Sequence, residues 1–173
     1  MPATRLSRAL DALPAPVKWV AAPLVLVGCV LLLVGSWTDP QKVAVPTPGP
    51  AAKQVCESLA GRLPDRVQGH GRKALTPVSP LTAAWDSSPR TVLRCGVGVP
   101  ELLVKHPESD SVGVNGVDWL IEKHSNGDVL FTTVERTANV EVLVPKGAYP
   151  NATDPLPALS DAVAKAVPSR FTQ

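Results

Sequence analysis

Apolar residues along this chain follow three different spacings, and each predicts a different element. The first is an unbroken run, WVAAPLVLVGCVLLLVGSW from Trp19 to Trp37, which holds no charged residue. Its 19 positions come close to the ~20 needed for a helix to cross ~30 Å of hydrocarbon. Trp19 and Trp37 bracket it as interfacial rings would, and Arg5, Arg8 and Lys18 outweigh Asp11 on its N-terminal side. The positive-inside rule then places residues 1–18 in the cytoplasm, 19–37 across the membrane and the remainder outside. Two other readings share that outcome: a cleaved signal peptide, and a lipoprotein signal in which Leu26-Val27-Gly28 precedes a lipidated Cys29. The apolar run continues past Cys29 through VLLLVG, which favours the uncleaved anchor.

Residues 38–50, TDPQKVAVPTPGP, carry four prolines and no apolar run, and read as an extended linker holding the domain off the membrane. From residue 51 the second spacing begins. Val55, Cys56, Leu59, Ala60 and Leu63 recur at helical intervals before Pro64, and Leu156, Leu159, Ala162, Val163, Ala166 and Val167 do so again before Pro168. QGHGRK reads as a loop and SPLTAAW as a short helical turn ending at Trp85. The third spacing is the alternation of strands. Leu93, Cys95, Val97 and Val99 share one face of a first strand, Val117, Trp119 and Ile121 one face of VDWLIEK, and Val140, Val142 and Val144 one face of VEVLV, with VLFTTVER between them. Asn126-Gly127 marks a hairpin between VDWLIEK and VLFTTVER. The expected fold class is therefore α+β: an N-terminal transmembrane helix, then, over residues 51–173, a small antiparallel sheet of about four strands with two helices on one face.

Composition adds two constraints. Only 4% of the 173 residues are aromatic, so the core must be built mainly from Val, Leu and Ala, with Trp85 and Trp119 as structural exceptions. Residues 39–173 hold 14 basic and 14 acidic side chains, which lacks the footprint of a nucleic-acid binder.

Of the three cysteines, Cys29 falls in the apolar run, leaving Cys56 and Cys95 as the pair in the outer domain. Both occupy inward-facing positions, and thiols outside the cytoplasm normally oxidise, so a Cys56–Cys95 disulfide is expected. A redox dithiol usually appears as Cys-x-x-Cys and a zinc site wants four ligands at short spacings; neither pattern is present. His70, His106 and His124 sit in polar contexts without ligand spacing, and no cofactor or metal is expected. A nucleophilic Cys95 with a histidine base is the remaining alternative.

Cys56 with Leu63-Pro64, Ala83-Ala84-Trp85, LRCGV at 93–97, Val117-Asp118-Trp119 and Val142-x-Val144-Pro145 together resemble an actinobacterial family of small secreted or membrane-anchored proteins classed only as a domain of unknown function. The resemblance spans roughly residues 50–170. It implies a cell-envelope setting and supplies no activity. Asp86-Ser87-Ser88 departs from it, standing where a glycine is expected soon after the tryptophan.

Two functional readings compete. The first is a non-catalytic binding or accessory module, tethered through residues 19–37, whose partner is an envelope protein or polymer. If helices cover one sheet face, Arg94, Asp118, Glu122 and Glu141 alternate onto the other, where Gly96 and Gly98 leave room for close approach. Cross-strand ion pairing on a solvated face is the plainer account of those charges. The second reading is an envelope hydrolase or transferase with Asp118 or Glu141 as base, but no Gly-x-Ser-x-Gly, Ser-x-x-Lys or His-Glu-x-x-His motif accompanies it.

Overall fold

The stripe of Cys56 and Leu59 winds into a helix whose first residue is a proline, a position where the missing amide hydrogen costs no bond. In the computed structural model, which describes residues 41–171, this is α1 (Pro50–Ala60), and Cys56 and Leu59 are the residues it buries. A second, five-residue helix, α2 (Glu101–Lys105), buries none of its side chains. The last, α3 (Leu156–Ala166), buries Leu156, Leu159, Ala162, Val163 and Ala166, the stripe expected of it. The expected spanning segment 19–37 and Cys29 lie outside the described residues; no helix within them is long and apolar enough to cross a membrane.

Two short pairs of strands precede the main sheet. β1 (Gln41–Lys42) runs parallel to β4 (Leu75–Thr76), and β2 (Arg66–Val67) pairs antiparallel with β3 (His70–Gly71). The main sheet comprises β5 (Thr82–Trp85), β6 (Thr91–Val97), β7 (Ser111–Val114), β8 (Val117–Lys123), β9 (Val129–Thr133) and β10 (Asn139–Val144), in the spatial order β5-β6-β10-β9-β8-β7. All its pairings are antiparallel. The sheet thus has six strands where the alternation pattern predicts about four. β5 replaces the expected helical turn: Ala83 and Ala84 give no alternation signal, yet both are buried, Ala83 in the main core and Ala84 on the other face with Leu75 and Val92. β7 is linked to β8 by the two residues Asn115-Gly116, both at positive φ, the hairpin turn that matches strand twist.

Pairing register assigns every residue to a face. Ala83, Leu93, Val142, Phe131 and Ile121 align across five strands, and the neighbouring row holds Cys95, Val140, Thr133, Trp119 and Val112. These rows and the stripes of α1 and α3 belong to one hydrophobic cluster, so both helices cover the same face. The strand of Cys95 ends earlier than its pattern suggests. β6 stops at Val97, a register shift lies beside it at Asn139/Val140, and Val99 is exposed rather than buried.

Trp85 and Trp119 are fully buried and both satisfy their indole N–H, as burial requires. Trp85 Nε1 donates to the Pro64 carbonyl at 3.1 Å and Trp119 Nε1 to the Ser160 hydroxyl on α3 at 2.9 Å. Trp119 therefore both fills the space between sheet and helix and fixes the rotation of α3. Trp119→Ala should destabilise the domain by about 3–5 kcal/mol in urea unfolding. Trp119→Phe, which keeps a ring but orphans Ser160, should cost clearly less than the alanine variant, and equal losses would show that the hydrogen bond rather than packing dominates.

Candidate functional site

Cys95 points from β6 toward the helices and meets Cys56 on α1. Their sulfurs are bonded at 2.05 Å with Cα atoms 5.6 Å apart, and both residues are fully buried. The staple predicted from the sequence is present, and it removes both thiols of residues 41–171 from nucleophilic or redox chemistry.

On the opposite face, one register row reads Thr82, Arg94, Glu141, Thr132, Leu120 and Ser111 across all six strands. Arg94 and Glu141 are direct cross-strand partners, and Arg94 Nε donates to Glu141 Oε1 at 2.5 Å. The Glu141 side chain retains 11% of its exposure and that of Arg94 33%, so the pair is half-sunk rather than freely solvated. Asp118 and Glu122 also fall on this face, but on β8, which β10 and β9 separate from β6. The six candidate residues therefore split into two groups. Arg94, Gly96, Gly98 and Glu141 form one neighbourhood; Asp118, beside Gly113 on β7, and Glu122, beside Leu130 on β9, lie elsewhere on the face.

What the sequence pattern did not reveal is that the proline-rich segment lies on this neighbourhood. Val43 donates its N–H to the Thr76 carbonyl at 3.0 Å and packs on Leu75, Ala84 and Val92, while Val45 reaches the main core. Residues 43–48 therefore run over the sheet as a strap, and over this stretch the expected stand-off spacer is part of the domain. The strap explains Gly96. At φ +87° a side chain is strained, and a Cβ there would sit 2.6 Å from Pro48 Cγ. The room that Gly96 leaves is filled by the protein's own proline. Gly98 has open space around it and is held by its carbonyl, which accepts from Asn139 Nδ2 at 3.1 Å.

Between strap and strand remains a cavity of ≈ 300 Å³ lined by Val45, Pro46, Thr47, Arg94, Gly96, Val97 and Gly98. Its chemistry is one guanidinium, one hydroxyl and glycine-rich backbone, a set suited to holding a small polar or anionic group and without a general base. Glu141, the buried carboxylate nearest to it, is not among the lining residues and is engaged by Arg94. The histidines do not converge on it. His70 Nδ1 lies 3.1 Å from the Asp86 carbonyl oxygen with its ring edge-on to Tyr149, His106 sits 3.5 Å from Glu108, and His124 belongs to the β8–β9 hairpin. Among the described residues no group of three or more His, Cys, Asp or Glu side chains gathers as metal ligands would.

A family model described as "Protein of unknown function (DUF3515)" matches residues 20–171. No curated protein and no solved structure matches the chain.

Two outcomes follow from this geometry. Reducing the Cys56–Cys95 bond, which joins residues 39 apart in sequence, should lower the unfolding free energy of the domain by roughly 2–5 kcal/mol, and non-reducing peptide mapping should recover a single crosslinked pair. Gly96→Ala should displace the strap. Faster hydrogen exchange at the Val43 amide, with exchange on α3 unchanged, is the expected readout, and unaltered protection at Val43 would show that Pro48 yields without cost.

Proposed function

The chain belongs to that family of proteins of unknown function, and we propose that it is a membrane-tethered, extracytoplasmic module that binds or assists an envelope component rather than catalysing a reaction. The observation that carries this reading is the disulfide. Disulfides persist in oxidising compartments and are rare in the cytosol, and the basic residues before Trp19 point to the same side for the domain.

The surface chemistry supports binding over catalysis. The carboxylate most shielded from water, Glu141, accepts from Arg94, and Asp118 stands exposed two strands away from Glu141. The cavity beside Arg94 instead offers a cation and a hydroxyl beneath a strap, an arrangement that recognises a small acidic or carbonyl-bearing group without transforming it.

Topology is the decisive test. Thr47 is exposed, so Thr47→Cys in a Cys29→Ser background should react with a membrane-impermeant maleimide in intact cells. Protection until lysis would reverse the orientation and remove the extracytoplasmic reading. For the cavity, Arg94→Lys keeps the charge but loses the guanidinium that Glu141 grips. It should weaken retention of the solubilised chain by envelope polymer carrying acidic groups, and unchanged retention would exclude Arg94 from the contact.

A further inference from the structure

Charge is unevenly divided along residues 41–173. Residues 41–100 carry eight Lys and Arg against three Asp and Glu, a balance of +5, whereas residues 101–173 carry six against ten, a balance of −4. Strand order separates the two stretches across the sheet. The first stretch supplies β1, β4, β5 and β6 at one side of the sheet, and the second supplies β10, β9, β8 and β7.

The chain enters the domain within the first stretch. Gln41 pairs with Leu75, and Trp37, the last residue of the apolar run, is only four peptide steps away, about 14 Å at full extension. Around the entry stand Lys42, exposed, Arg72, whose guanidinium lies 5.3 Å over the Trp85 ring, and Lys73, half-exposed and paired with Asp86 Oδ2 at 3.5 Å. Just beyond β4, Val78 presents 93% of its surface to solvent, the most exposed large apolar residue of the domain. Arg72, Lys73, Leu75, Val78, Ser79 and Thr82 border one cavity of ≈ 260 Å³. An exposed apolar tip with long cationic side chains close by is the chemistry of an interfacial element, in which ammonium and guanidinium groups meet phosphates while the tip enters the acyl boundary.

We infer that the β1–β4–β5 edge of the domain is a docking surface for an anionic lipid bilayer, with the 76–79 loop and Val78 as its contact tip. The inference rests on the tethered reading above and adds to it an orientation: the basic edge faces the lipid and the acidic β7–β8 side faces away. Attraction of this kind acts within about one Debye length, ~8 Å at physiological salt, so the docking is sensitive to ionic strength.

The test uses the full chain, with Cys29→Ser, reconstituted into vesicles of phosphatidylcholine and phosphatidylglycerol that contain nitroxide-headgroup lipid. A fluorophore is placed at Val78→Cys or, at the opposite side, at Ser125→Cys; both sites are exposed. Quenching at position 78 should exceed that at 125 by at least about threefold. It should fall by about half or more in phosphatidylcholine alone, in high salt, or with Lys42→Glu and Lys73→Glu combined. Equal quenching at both positions in a chain that resists alkaline extraction overturns the orientation while leaving the tether intact. Preferential quenching at 78 that ignores lipid charge and charge reversal overturns the anionic partner. A chain stripped by alkali removes the tether itself; the edge then stands only if the stripped chain co-sediments with anionic vesicles and the Lys42→Glu, Lys73→Glu chain does not, and it falls otherwise.

Discussion

The Cys56–Cys95 bond is the constraint on which the arrangement of the domain depends, because it joins its two layers at their most demanding point. β6 is the second strand of the sheet and must serve both faces at once. Leu93 and Cys95 turn toward α1 and α3, while Arg94 and Gly96 turn toward Glu141 and the strap. A core poor in aromatics has little surplus burial to hold α1 against that strand, and a crosslink limits the freedom of the unfolded chain. Once α1 is fixed, Pro50 at its start fixes where the strap must end, and Pro48 falls onto Gly96.

Much of this could be read from the residues. The stripes of α1 and α3 and the alternation in β6, β8 and β10 are strong because polar and apolar positions contrast sharply there. The cysteine pair follows from those same faces. β5 escaped because TAAW contains two alanines, which carry neither alternation nor β preference. β7, SVGV, is short and has a glycine inside it, although the Asn115-Gly116 turn that follows is as clear a hairpin mark as Asn126-Gly127. The strap was read as a spacer because four prolines look like extended, solvated chain. Val43 and Val45 among those prolines supply enough apolar surface to dock it.

The candidate site was half legible for a related reason. Alternation correctly placed Arg94, Asp118, Glu122 and Glu141 on one face, since side-chain parity is local. Which of them are neighbours is set by strand order, and β10 inserts between β6 and β9, so Glu141 meets Arg94 while Asp118 does not. That insertion pairs residues 47 positions apart, a separation no short-range pattern encodes.

The strap also imposes an order in time. Gln41 finds its partner at Leu75, 34 residues later, and Pro48 finds Gly96, 48 residues later. The stretch of the domain that is synthesised first therefore waits for its partners, and until β4 and β6 exist it has nothing to pair with. Closing such long-range contacts carries the entropy of the intervening chain. Seating the strap thus ties the start of the domain to strands that the chain supplies only dozens of residues later.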